Sequence, residues 1–140
     1  MIIVLVAAAV ALALAWVRHA YRIVVVDGIS MAPALLPGDR LLLRRTRLAR
    51  LRRGQIAVLR HPAEPGHLVK RVAALPGDPA PPGVPCGRAV PAGHVVVLGD
   101  NSEVSLDSRD LGPLPGSSLL GVMIRPLRPE RRSLPQGPRT

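Results

Sequence analysis

Phenylalanine is absent from this chain of 140 residues, and tryptophan and tyrosine occur once each. A core of packed aromatic rings is therefore excluded, and Val, Leu, Ile and Ala must fill the interior. The same lack removes the aromatic stacking platforms on which single-stranded nucleic acids are held, so no nucleic-acid partner is expected. One cysteine, Cys86, excludes an internal disulfide, and no Cys/His spacing matches a metal site. Neither a metal nor another cofactor is expected. Acidic residues number nine against nineteen basic ones, a formal charge of +10. Of those nineteen, eighteen are arginine, and the single lysine is Lys70. Arginine cannot deprotonate in a protein, whereas a desolvated lysine amine titrates near neutrality. A chain that has drifted to arginine but keeps lysine at one position points to a need for an amine there.

What is abundant is proline and glycine, sixteen and thirteen residues, which argue for many turns and few long helices. Met1 to Val17 is an uninterrupted apolar run. As a helix it would be about 25 Å long, close to a membrane span, with Trp16 and Tyr21 suited to the interface. A retained anchor over residues 1–20, in contact with the lipid bilayer, is favoured over a cleaved signal peptide, because no basic segment precedes the run. Arg18 and Arg22 follow it, and the positive-inside rule leans toward a cytoplasmic domain. Residues 22–126 then read as one small all-β domain of about 105 residues, enough to fold alone. Short apolar runs at Arg40–Leu43, Ile56–Leu59, Leu68–Leu75, His94–Leu98 and Leu119–Ile124 supply the strands. The Pro/Gly-rich stretch 79–93 reads as a surface loop, and 127–140 as a basic disordered tail.

Two stretches carry chemistry. Asp27 to Pro33 places Ser30 in a Gly/Pro turn directly behind the β-branched run Ile23–Val26. His67 to Val72 places Lys70 within an apolar strand. A serine and an amine at the edges of apolar strands suggest a nucleophile and its base. A third stretch, Gly99 to Pro113, is dense in small polar groups. In an extended chain Asp107 and Arg109 point the same way and suit an ion pair, and Ser105 offers a hydroxyl for a neighbouring amine. A Ser-His-Asp triad using His67 or His94 is an alternative arrangement that the sequence also allows. The arginine-rich segment 44–53 has a different reading: a non-catalytic basic β-module binding anionic lipid or nucleic acid.

Taken together, Ser30-Met31-x-Pro33-x-Leu35, Pro37-Gly38-Asp39, Arg53-Gly54-x-Ile56-x-Val58, Lys70-Arg71-Val72 with Leu75-Pro76-Gly77-Asp78, and Gly99-Asp100-Asn101 with Ser105-x-Asp107-Ser108-Arg109 resemble the boxes of the type I signal peptidase family, in that family's order. The resemblance covers most of residues 24–125. It implies a mainly β fold, a small antiparallel, barrel-like catalytic core behind one N-terminal transmembrane helix. It implies a serine endopeptidase with Ser30 as nucleophile and Lys70 as base, Ser105 orienting the amine, and Asp107 and Arg109 bracing the site. By the same analogy the Ser30 main-chain N–H holds the oxyanion beside Gly28, where some members carry a hydroxyl. Val24, Val26, Met31, Leu35 and Val69 would line pockets for small side chains, so the implied partner is a precursor protein with small residues before its cleavage site. Gln55 stands where the family usually has Asp. The shortness of 79–93 also resembles a small subgroup that matures a nickel superoxide dismutase precursor. The family analogy puts the catalytic domain outside the cytoplasm, and the dedicated role would put it inside.

Overall fold

The computed structural model describes residues 1–127. The first element is helix α1, Ile2–Ala20, none of whose side chains is buried. Apolar on every side and buried by none of the described residues, this helix is long and apolar enough to cross a membrane. It runs three residues past the apolar stretch, because Arg18 and His19 in its last turn complement the negative end of the helix dipole. The chain leaves it directly into strand β1, Tyr21–Val25, and the Arg45 N–H caps the Ala20 carbonyl at 2.9 Å.

The remaining strands are β2 (Arg40–Arg44), β3 (Ile56–Arg60), β4 (His67–Ala74), β5 (His94–Leu98), β6 (Leu114–Pro115) and β7 (Leu119–Leu127), with a four-residue helix α2, Ser108–Leu111, before β6. They form one antiparallel sheet in the order β1-β2-β7-β3-β4-β5-β6, curved into a half-barrel. The mainly β class expected from the sequence is what the chain adopts. Register shifts interrupt the β2–β7, β3–β7 and β4–β5 pairings, and such bulges raise local twist.

Strand β3 explains how so small a domain holds an interior without phenylalanine. Four of its five residues are buried, because the sheet is covered on both faces here. Ala57 and Leu59 join Leu68, Val72, Val95 and Val97 in one apolar cluster. Ile56 and Val58 point the other way, into a cluster with Val26, Met31, Leu35, Leu41 and Leu43. The second cluster is the one that carries the Ser30 turn.

Two expectations are corrected. Strand β7 does not stop at Ile124 but continues to Leu127, with Pro126 opposite Leu41 and Leu127 opposite Arg40. Proline fits there because β3 pairs with β7 only as far as Val122, so one side of the strand needs no N–H donor. The expected tail lies, from residue 128 on, outside the described residues. The 79–93 stretch is also more than a surface loop. Pro79 bridges Ala89, and Val84 and Val90 are buried against Ala74 and Val96. Proline and glycine set its turns, but two valines among them are enough to dock it.

Gly121 marks the tightest sheet contact. A Cβ there would stand 2.6 Å from the Arg44 carbonyl oxygen, which is backbone and cannot swing away. Gly121→Ala is therefore expected to destabilise the fold by about 1–3 kcal/mol, read as a lower midpoint in chemical denaturation. An unchanged midpoint would contradict this packing.

Candidate active site

The loop between β1 and β2 is held at both ends by its own backbone. The Val26 N–H donates to the Asp39 carbonyl at 2.9 Å, and the Gly38 N–H to the Val26 carbonyl at 2.7 Å. The Asp39 carboxylate accepts from the Leu36 N–H at 3.0 Å. Inside the loop, Met31 and Leu35 are buried in the cluster beneath, and the Leu35 N–H donates to the Met31 carbonyl at 2.9 Å. The peptide between them, Ala32–Pro33, is cis. Ser30 is thus the half-exposed residue next to two fixed apolar anchors.

Lys70 comes from the neighbouring face of the molecule. Period-two alternation along β4 puts it in step with Leu68 and Val72, both buried, and Lys70 itself is 3 % exposed. Its Nζ stands 2.7 Å from Ser30 Oγ. Burial is the main influence on the amine and lowers its pKa from 10.5, because the charged form loses hydration. The negative charge of Asp107 works against that shift, and the positive charge of Arg109 works with it.

Behind the pair lies a buried polar knot. Asp107, fully buried, accepts hydrogen bonds from the Arg109 side chain at 3.0 and 2.6 Å, the Gly99 N–H at 2.8 Å and the Ser105 hydroxyl at 2.7 Å. Burial alone would raise its pKa, but these donors together hold the carboxyl well below the usual carboxylate range. Asp107 also caps α2. It accepts from the Arg109 N–H at 3.1 Å, and Asp110 returns a bond to the Asp107 N–H. The expected Asp107–Arg109 ion pair forms, but around the first turn of a helix and not along an extended strand, because Asp107 is the N-cap of that helix. Ser105 donates its hydroxyl to Asp107, and the Lys70 amine donates to Ser30 Oγ.

A second brace, built from residues that the sequence placed in matched motifs without a role, ties the serine loop to the lysine strand. Arg71, next to Lys70 but on the other side of β4, makes a two-pronged pair with Asp100 at 2.8 and 2.6 Å and donates to the Gly54 carbonyl at 2.9 Å. The Asn101 N–H donates to the Ser30 carbonyl at 2.8 Å, and Asn101 Nδ2 to the Ile29 carbonyl at 3.3 Å. Sequence neighbours on each side close the ring: Ser30, Lys70, Arg71, Asp100, Asn101 and back to Ser30. Gly99 completes it. A Cβ at Gly99 would collide with the Ser105 hydroxyl and stand 2.8 Å from the Ser30 carbonyl. The signal for these residues was their place in the Gly99-Asp100-Asn101 run. Their contacts depend on strands far apart in sequence.

Ser30 and Lys70 open onto a cleft of about 240 Å³. Val26, Met31 and Val69 line it, and Gly28 borders it with open space where a side chain would stand. Val24 and Leu35 do not line it. Leu35 lies under the loop, and Val24 packs against the same cluster. Leu68, Ile29, Val104 and Leu106 supply apolar wall that the sequence reading had not assigned. His67 borders the cleft, whereas His94 bonds the Ala92 carbonyl at 2.9 Å and is not among its lining residues. Among the described residues no group of acidic, histidine or cysteine side chains is placed to hold a metal.

The family model for signal peptidase, peptidase S26, matches residues 1–80 and 81–127. The chain belongs to that family. It is similar to the mitochondrial ATP-independent inner membrane protease subunit 1b of Arabidopsis thaliana, 33 % identical over 122 residues, which cover 79 % of this chain and 72 % of the relative. Subunit 1a from the same plant is 33 % identical over 117 residues, covering 75 % and 70 %. Both the Ser30 loop and the Lys70 strand fall within the first matched segment, and the Asp107 knot within the second.

If the ring of contacts sets the approach of serine and lysine, Gly99→Ala should lower kcat/KM on a peptide substrate by about 100-fold, the scale of a 1 Å misplacement. Circular dichroism is expected to show the sheet retained. Wild-type activity in that variant would contradict the role given to the close packing.

Proposed function

We propose that this chain is a membrane-anchored serine endopeptidase that removes N-terminal signal or leader peptides, with Ser30 as nucleophile and Lys70 as its general base. The observation that carries the reading is the 2.7 Å approach of a buried lysine amine to a half-exposed serine hydroxyl at the mouth of an apolar cleft. Uncharged Lys70 Nζ takes the proton as Ser30 Oγ bonds to the scissile carbonyl carbon. The carbonyl oxygen gains the charge and is held by main-chain donors, the Ser30 N–H first, since Gly28 offers no hydroxyl. The lysine ammonium then gives its proton to the leaving amine as the C–N bond breaks. Water, deprotonated by the same amine, hydrolyses the acyl-serine and restores the hydroxyl.

Ser105, Asp107 and Arg109 act one step back. The Asp107 carboxylate fixes Ser105 and Arg109, and Arg109 offsets the negative charge that would otherwise keep Lys70 protonated. Val26, Met31 and Val69 make a shallow apolar floor suited to small side chains before the cut. A non-catalytic basic module would have no use for a desolvated lysine beside a serine.

The anchor supports a single-pass membrane protein whose cut lies near the bilayer, because twelve residues lie between Val17 and Ser30. A dedicated role in maturing a nickel superoxide dismutase precursor draws on the compressed 79–93 segment. It predicts a cytoplasmic domain, where general preprotein processing predicts an extracytoplasmic one. Protease protection in sealed vesicles separates the two.

Ser30→Ala and Lys70→Arg are each expected to abolish cleavage of a precursor peptide while the fold persists, the second because guanidinium cannot serve as a base. Full activity in Lys70→Arg would overturn the dyad. In the wild type, kcat/KM should fall as pH drops through the Lys70 pKa, which burial places below 10.5. Arg109→Gln removes a charge that favours the neutral amine, so its acidic limb should move to higher pH. A limb that stays in place or moves to lower pH would contradict the electrostatic role of Arg109.

A further inference from the structure

A second cavity, of about 640 Å³, lies at the junction of α1 and the sheet. It is lined by His19 and Ala20, the last residues of α1, by Arg45, Arg47 and Arg50, and by Leu119 and Leu120 among others. Among the described residues no carboxylate lines it. Among the described residues the ion pairs engage Arg53, Arg71 and Arg109, and none engages Arg45, Arg47 or Arg50. The cluster is held to the helix end: the Arg45 N–H donates to the Ala20 carbonyl, and Arg45 Nη1 stands 3.1 Å from His19 Nε2. Arg47 precedes a short turn, Leu48–Arg50, and Arg50 is its last residue, so their stems start from a fixed backbone.

Among the described residues these three cations have no counter-charge beside them, and their mutual repulsion favours the arrival of an anion. Position decides what arrives. A helix of nineteen residues spans about 28 Å, so in a bilayer its last residues sit at the depth of the lipid headgroups. We propose that this cavity binds the phosphate of an anionic phospholipid headgroup, with Arg47 and Arg50 as its cationic ligands and Leu119 and Leu120 against the glycerol end. A nucleic acid would need the patch to face open water, away from the helix end. The bound headgroup ties the β domain to its anchor, which fixes the height of the Ser30 cleft above the bilayer. The inference rests on α1 crossing the membrane and is independent of the peptidase chemistry.

The full chain is purified in detergent and mixed with phosphatidylglycerol and phosphatidylcholine, and retained lipid is read by native mass spectrometry. The wild type is expected to retain phosphatidylglycerol in preference, and the double variant Arg47→Gln, Arg50→Gln to bind it at least about ten-fold more weakly. The matched variant Arg60→Gln, Arg88→Gln, two exposed arginines outside the cavity, should behave as the wild type. Equal loss in both variants would mean net charge and not the cavity, and would overturn the proposal. So would displacement of the lipid by millimolar inorganic phosphate, which would make it a free-anion site. Binding of a short oligonucleotide that is lost in the cavity variant, with no lipid preference, would overturn it in favour of nucleic acid. Flotation of all three proteins with phosphatidylcholine vesicles reads the anchor separately, and failure to float would remove the premise.

Discussion

The whole site depends on one electrostatic constraint: an amine must be kept out of water and yet free of a counter-ion that would hold its proton. Lys70 meets it by position. Its strand neighbours Leu68 and Val72 are buried, and its nitrogen faces the Ser30 hydroxyl. A buried ammonium without a carboxylate partner is the unfavourable state, so burial lowers the Lys70 pKa and biases the side chain toward the neutral amine. Asp107 endangers this, because its charge raises the Lys70 pKa. The Arg109 fork on that carboxylate is what limits the damage. The pair is buried on the acid side and 31 % exposed on the arginine side, so its guanidinium remains partly hydrated while the carboxylate is fully satisfied.

The scaffold serves that constraint from two directions. From below, Met31 and Leu35 pin the serine loop into the cluster shared with Leu41, Leu43, Ile56 and Val58. From the side, Arg71–Asp100 and the Asn101–Ser30 backbone bond fix the loop against β4. The proposed nucleophile and base are drawn from residues forty apart in sequence, and the Asp100–Asn101 segment bonds to both the serine loop and the lysine strand. Such preorganisation is what a proton transfer across 2.7 Å requires.

Much of this was legible in the sequence, for particular reasons. Lys70 stood out because the chain uses arginine at every other Lys/Arg position, so composition itself marked the proposed base. Ser30 stood out because glycine and proline frame it. The strands were legible where apolar runs are short and bounded by turn residues. What stayed hidden depends on contacts between distant strands. Leu35 and Val24 looked like pocket wall, because sequence distance from the serine does not say which way a loop buries its side chains. Asp107 and Arg109 were paired correctly but on the wrong local structure, since a capping box makes a helix of only four residues. Val84 and Val90 were lost in a Pro/Gly background, and Pro126 concealed the end of β7 because its tolerance depends on β3 stopping short.

The single lysine also makes the central claim directly measurable. With lysine labelled at the side-chain nitrogen, the chain should give one amine resonance, and its pH titration reports Lys70 alone. The account predicts a midpoint below 10.5, the value of an unburied lysine, and a move upward when Arg109 is replaced by glutamine. A midpoint at or above 10.5 in the folded protein would mean that Lys70 stays charged at the pH of catalysis, and the proposed base would be lost.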